Sequence, residues 1–280
     1  MNTSASQTPE YVLGHSEHEL ARLGRQARIL DTFSEPLLRK AGIEPGMHVL
    51  DVGCAAGDQS FLVANLVGPS GHVVGVDRSP EALATAQARS LRMGLTNVEF
   101  IQGDLHADTL ELPKLVFDAV VGRLVLYVLR EPVKCLRNLL RFVRPGGLVV
   151  FQEPSVGPTG LAWPAVPLWN TVGRWWWETN QGSGTDPQLG LKLHGMFLEA
   201  GLPGPQLLDL CVDGGADSPY YEWIASTTRS GLPVIERLGI ATAEEVGIET
   251  LADRLREETV SGEGVLCVMS LIGAWARRQG

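Results

Sequence analysis

Apolar strands that alternate with helices predict an α/β fold. The expected form is a mostly parallel seven-stranded sheet with helices on both faces, N-terminal lid helices and a helical cap after the fifth strand. Three observations carry this. The strand-like segments between Met47 and Gln152 are almost wholly apolar, as in a sheet covered on both faces. Helix-length stretches separate most of them. Asp51, Asp77 and Asp104 each stand at or just after a strand end, about one strand–helix unit apart.

In chain order, residues 1–15 read as a polar lead. Ser16 and Glu19 have capping-box spacing, and Leu20, Leu23, Ala27 and Leu30 follow at helical intervals, so a helix is expected over 17–31 and a second over 34–41. Strands are expected at 47–52, 72–77, 97–102, 116–122 and 148–152. Between them lie helices over 57–67 and from Pro80 to Met93, the latter with Ser79 as N-cap and Gly94 as stop, and a third near 132–143. A turn is expected at Arg144-Pro145-Gly146-Gly147. After Glu153 come a Pro-, Gly- and Trp-rich insertion over 154–188, a helix over 188–200, a strand over 206–212, helices over 218–238 and 243–259, and a last strand over 264–274. The expected division is a lid (1–42), a binding core (43–153), cap segments (154–203 and 214–262) and closing strands (204–213 and 263–280).

The chain has 280 residues, 44% of them hydrophobic and 20% charged, with a net charge of −9. That is ordinary globular composition, and no basic stripe exists to neutralise a phosphate backbone, so no nucleic-acid partner is expected. Four scattered cysteines without a C-x-x-C pair read as separate reduced thiols in a cytoplasmic protein. The polar start MNTSASQTPE does not resemble a signal peptide. Pro164, Pro167 and Arg174 interrupt the most apolar stretch, so no membrane span is expected. His15 and His18 sit three apart with no third ligand nearby, so no metal is expected.

The segment VLDVGCAAGD runs from a buried strand through small residues into a helix. Such a turn lets backbone approach a ligand closely, but it also serves plain strand–helix packing. The carboxylates decide more. In a parallel sheet Asp51, Asp77 and Asp104 fall on one carboxyl edge, where ligands bind. Three acids suit a ligand with an ammonium, a ribose diol and an exocyclic amine, and they suit a pyrophosphate badly. Ala55 and Asp58 also stand where a dinucleotide fingerprint needs glycine.

VLDVGCAAGD, VVGVDRSPEAL, NVEFIQGD, FDAVVGRLVLYVL and RPGGLVVFQE together resemble the Rossmann-like class I S-adenosylmethionine-dependent methyltransferases, particularly the bacterial type 11 or ubiquinone–menaquinone-biosynthesis group. The match covers about residues 46–153. The family's loop is G-x-G-x-G, from which Ala55 departs. The resemblance implies S-adenosyl-L-methionine as cofactor, with Asp51, Gly53, Cys54 and Gly57 around its methionine portion. It further implies Asp77 on the ribose, Arg78, Gly103, Asp104 and Leu105 around the adenine, and Arg123 and Leu124 on the sulfonium side. Tyr11 and Gln26 are expected to fold over the methionine end.

Methyl transfer from a sulfonium is an in-line displacement, and some acceptors need a base. Glu153 and His194 are the candidate bases, with Tyr127 as an orienting hydroxyl. Gly122-Arg123-Leu124-Val125 replaces the Asn/Asp-Pro-Pro-aromatic segment that methyltransferases of DNA amines and glutamine amides carry, which disfavours those substrates. The acceptor is expected to be a small apolar or aromatic molecule. On the helix after Pro167, Leu168, Trp169, Val172, Trp175 and Trp176 share a face and Trp177 points away. Trp177 is therefore expected at the acceptor pocket, at a partner chain or in solvent, which leaves a homodimer open. Two rivals remain: a non-methylating relative that uses S-adenosylmethionine structurally or for cyclisation, and a nicotinamide-dependent oxidoreductase.

Overall fold

The computed structural model describes residues 17–107, 110–112, 116–210 and 213–280. Its first half is built from α1 (Glu17–Ala41), β1 (His48–Val52), α2 (Asp58–Val67), β2 (His72–Asp77), α3 (Pro80–Met93), β3 (Val98–Gln102) and β4 (Phe117–Arg123). A 3-10 turn over Leu126–Val128 leads to α4 (Pro132–Leu139), β5 (Val143–Ser155), β6 (Leu161–Trp163), α5 (Pro167–Gly182) and α6 (Leu189–Ala200). The chain closes with β7 (Gln206–Leu210), β8 (Asp213–Gly214), α7 (Tyr220–Arg237), α8 (Ala243–Val246), α9 (Leu251–Ser261), β9 (Val265–Cys267) and β10 (Ser270–Arg277).

Seven strands form one sheet in the order β3-β2-β1-β4-β5-β10-β7. The first five run parallel, and β10 is antiparallel to both β5 and β7. The strand order reverses between β1 and β4, which lie side by side although β2 and β3 separate them in sequence. That switch point opens a crevice at the carboxyl ends of the two strands. Local chemistry explains the elements around it. Ser79 caps α3 by accepting the Ala82 N–H at 3.1 Å, Pro80 supplies a preset first turn, and Gly94 ends the helix in the left-handed region.

Several elements differ from the sequence expectation. α1 is one helix that runs through Pro36 rather than two helices. Ser34, which looks like a cap before that proline, is buried and spends its hydroxyl on the sheet: it donates to Gln152 Oε1 at 2.6 Å and accepts from Arg123 Nη1 at 3.0 Å. Arg123 also bonds Asp31 at 2.9 Å, so α1 is tied to the ends of β4 and β5. Leu37, Leu38 and Ala41 lie in the core against β1 and α2. The Arg144–Gly147 turn lies inside β5, where the β4 register slips between Phe117 and Ala119.

The last part of the chain divides its burial. α6 packs Leu189, Leu193, Met196 and Phe197 into the sheet core, whereas α5, α7 and α9 bury Trp169, Trp175, Tyr221 and Leu255 in a separate cluster. A three-stranded sheet of two- and three-residue strands, β6-β9-β8, roofs that cluster, and the strand expected over 264–274 divides into β9, in this sheet, and β10, in the large one. Cys267 in β9 is disulfide-bonded, which corrects the expectation of four separate reduced thiols; Cys54 and Cys135 are free. Among the described residues no helix is long and apolar enough to cross a membrane.

Removing the Ser34 hydroxyl strands Gln152 Oε1 and one Arg123 donor in a buried place. Ser34→Ala should therefore lower stability by about 1–3 kcal/mol. Urea unfolding reads this as a lower midpoint, and an unchanged midpoint would show that the network carries no weight.

Candidate cofactor and acceptor site

The crevice at the switch point is a cavity of about 590 Å³. Its floor is the turn between β1 and α2. Three residues there have positive φ: Gly53 at 69°, Ala55 at 45° and Gly57 at 85°. Ala55 therefore occupies the conformation for which the resembled loop uses glycine, and it does so with a methyl group in place. What holds it is Asp77 at the end of β2, whose Oδ2 accepts the Ala55 N–H at 2.9 Å while Oδ1 accepts the Ser79 N–H at 2.9 Å. Each oxygen keeps a lone pair for a ligand. Gly57 serves packing, since a Cβ there would come within 2.9 Å of Phe61 and Phe100, and it does not line the cavity. Asp58 at the helix start is neutralised by Arg89, which pairs with its carboxylate at 2.5 Å and donates to the Ala56 carbonyl at 2.7 Å.

The other sequence-predicted residues divide as follows. Asp51, Gly53 and Cys54 line the cavity from the β1 turn, and Asp77 and Arg78 from β2. Gly103, Asp104 and Leu105 line it after β3, and Arg123 and Leu124 after β4. Gln26 reaches it from α1, where it accepts from Trp223 Nε1 of α7 at 3.2 Å. Tyr11 lies outside the described residues. Tyr127 lines the wall where the β4 turn meets the cap. His106 also lines the cavity, and desolvation lowers its pKa.

Neither of the two candidate bases stands at the cavity. His194 is exposed on the far side of α6, because the helix turns its Leu189–Leu193–Phe197 face inward and His194 falls about 100° from Leu193. Glu153 is fully buried and does not line the cavity. Its carboxylate accepts backbone N–H groups of Val125 at 3.1 Å, Leu126 at 2.8 Å and Tyr127 at 3.3 Å. Burial pushes it up to about 8, and those three N–H groups oppose the shift. The tryptophans also need correcting. Trp169, Gly173, Trp176 and Asn180 form the cavity-facing stripe of α5, while Val172, Trp175 and Thr179 are buried away from the cavity; Trp177 is half-buried and does not line it. The sequence merged two adjacent stripes into one. Trp176 is fixed by donating to Thr228 Oγ1 at 3.1 Å, and its ring covers Gly231. Trp223 completes the aromatic wall from α7.

Two buried acid–base groups matter electrostatically. Asp51 accepts from Gln59 Nε2 at 2.8 Å and Ser60 Oγ at 2.6 Å, yet burial raises its carboxyl to about 6. Burial pushes the Cys54 thiol well above its ordinary range, which keeps it protonated and unsuited to nucleophilic work. Among the described residues, no group of three or more His, Cys, Asp or Glu side chains is placed to hold a metal ion.

A family model described as a methyltransferase domain matches residues 43–199, more than half of the chain, and the chain belongs to that family. A demethylmenaquinone methyltransferase of Lactococcus lactis is 34% identical over 125 residues, which cover 45% of this chain and 49% of the relative. Among solved structures, a SAM-dependent methyltransferase from Aquifex aeolicus aligns at 21% identity and a TM-score of 0.51, covering 72% of this chain and 94% of that one. The 4+2 cyclase SpnF aligns at 18% identity and a TM-score of 0.54, covering 89% and 80%. These two likenesses show the fold alone. The chain spans about half the length of the curated relatives it matches.

A carboxyl at about 6 makes the cavity's affinity for a cationic ligand depend on pH. The raised value means that the folded protein favours the protonated carboxyl, so Asp51 offers its charge only above pH 6, and it destabilises the fold as it ionises. Binding of an ammonium-bearing ligand should strengthen as pH rises through about 6, and Asp51→Asn should flatten that rise. Calorimetry between pH 5 and 8 checks this; a wild-type profile as flat as the variant's would overturn it.

Proposed function

We propose that this chain transfers a methyl group from S-adenosyl-L-methionine to a small apolar or aromatic acceptor. One observation carries the reading: a single cavity has carboxylates and tight backbone at one end and tryptophans at the other. The residues present fit the cofactor. Asp77 is pre-aimed by two backbone N–H groups and has an acceptor pair free on adjacent oxygens, which matches a vicinal diol. Asp51 would face an ammonium, and Asp104 with the Leu105 backbone would read the edge of an adenine. Asp104 is itself oriented by accepting the His106 N–H at 2.9 Å. S-adenosylmethionine supplies, when bound, a methyl group on a positively charged sulfur.

The chain's own contribution is placement. Trp169, Trp176 and Trp223 exclude water and give an apolar acceptor a flat wall, while Arg123, Leu124 and Tyr127 bound the middle of the cavity. Rate would come from holding the acceptor atom ~3 Å from the methyl group and in line. Among the described residues that line the cap side, none is a carboxylate or imidazole, and Tyr127 stands as the orienting hydroxyl. The same feature favours a second reading, in which the bound cofactor shapes the cavity for a cyclisation rather than giving up its methyl group. Accumulation of S-adenosylhomocysteine alongside a product heavier by one methyl group, read by mass spectrometry, separates the two.

Asp77→Ala removes both ribose contacts and frees the Ala55 N–H, at about 1.5–3 kcal/mol per charged hydrogen bond in gross value. S-adenosylmethionine affinity should fall at least tenfold by calorimetry, and unchanged affinity would remove Asp77 from the site. Trp176→Ala should raise KM for an aromatic acceptor several-fold while leaving cofactor affinity alone. Equal KM values in the two proteins would count against the aromatic wall.

A further inference from the structure

We infer that Glu153 is a positioning residue, a buried carboxyl group that holds the turn 124–127 and with it one wall of the cavity. Four consecutive backbone N–H groups in this turn find partners on two residues of β5. Leu124 donates to the Gln152 carbonyl at 2.9 Å, and Val125, Leu126 and Tyr127 donate to the two carboxylate oxygens of Glu153. The turn needs such a hold. It begins at Leu124 in the left-handed region, with φ of 55°, which a branched side chain adopts at a cost. Glu153 has no exposed surface, so no solvent competes for the donors and none would satisfy them if the carboxylate were absent.

The chemistry calls for a carboxyl group in particular. Its two oxygens share the three converging N–H groups, two on Oε1 and one on Oε2. The isosteric amide has one accepting oxygen and would turn an NH2 group toward a donor. What the turn carries explains the consequence. Leu124, Val125 and Tyr127 line the cavity, and the Val125 side chain packs on Gly53 so closely that a Cβ there would collide with it. On the other side the Tyr127 carbonyl accepts the Asp186 N–H at 3.0 Å, which joins the turn to the segment before α6. Glu153 thus sets the distance between the β4 turn and the β1 turn, the two walls of the cofactor end. It lies behind the wall and does not touch the reacting atoms. The inference rests on the methyltransferase reading only for the ligand used as probe.

The test combines amide hydrogen exchange at residues 125–127 with calorimetric titration of S-adenosylhomocysteine, on the full chain. In Glu153→Gln the three amides should exchange at least tenfold faster while amides of β1 and β2 keep their rates, and S-adenosylhomocysteine affinity should fall at least fivefold. Glu153→Asp keeps the carboxyl group on a shorter arm and should recover part of both. Wild-type exchange and affinity in Glu153→Gln would overturn the inference. Should that variant fail to fold, the wild-type amides decide: rates as slow as those of β4 and β5 uphold it, and rates of an exposed loop overturn it. A wild-type protein that protects these amides but binds no S-adenosylhomocysteine upholds Glu153's role and contradicts the cofactor reading instead.

Discussion

The bond from the Ala55 N–H to Asp77 is the constraint on which the site depends. The β1 turn enters left-handed backbone at Gly53, Ala55 and Gly57, and only the two glycines do so freely. Ala55 stays there because a carboxylate on the neighbouring strand accepts its N–H at 2.9 Å. The same carboxylate accepts the N–H at the cap of α3, so one side chain sets both the floor of the cavity and the start of the next helix. The parallel register supplies the rest. Val52 pairs with Val76 on one side and Gly122 on the other, so whatever follows β1, β2 and β4 meets at one edge.

Around that edge the protein places its charges with different degrees of burial. Asp77 is oriented by backbone and open to a ligand. Asp51 is buried, satisfied by two neutral donors, and raised to about 6. Glu153 is sealed away and raised to about 8, and its two oxygens are directed at three N–H groups of the chain itself. Three acids within one sheet edge thus have three roles, and burial with hydrogen-bond partners distinguishes them where residue type does not.

The parallel core and its acids were legible in the sequence because both follow from short-range pattern: apolar runs end at Asp51, Asp77 and Gln102, and one strand–helix unit repeats. What was not legible depends on contacts across the fold. Ser34 before Pro36 has every local mark of a helix start, yet a partner 118 residues away takes its hydroxyl and the helix continues. His194 borders an apolar stripe by count but falls on its outer side once α6 docks. Trp176 and Trp177 differ by one position, and only the packing of α5 against α7 and α9 decides which of them sees the cavity. Glu153 stands at a strand end as a catalytic base would, and nothing in the sequence reports that a turn 26 to 28 residues upstream occupies it. The short strands β6 and β8 carry too few residues for a period to show.

The central claim is that one cavity holds S-adenosylmethionine at its carboxylate end. Native mass spectrometry of the purified chain mixed with that compound tests it most directly. The account predicts a complex with a single cofactor per chain, displaced by S-adenosylhomocysteine and indifferent to nicotinamide dinucleotides. A folded chain that stays free of S-adenosylmethionine at millimolar concentration, or takes up a nicotinamide dinucleotide in its place, would contradict it.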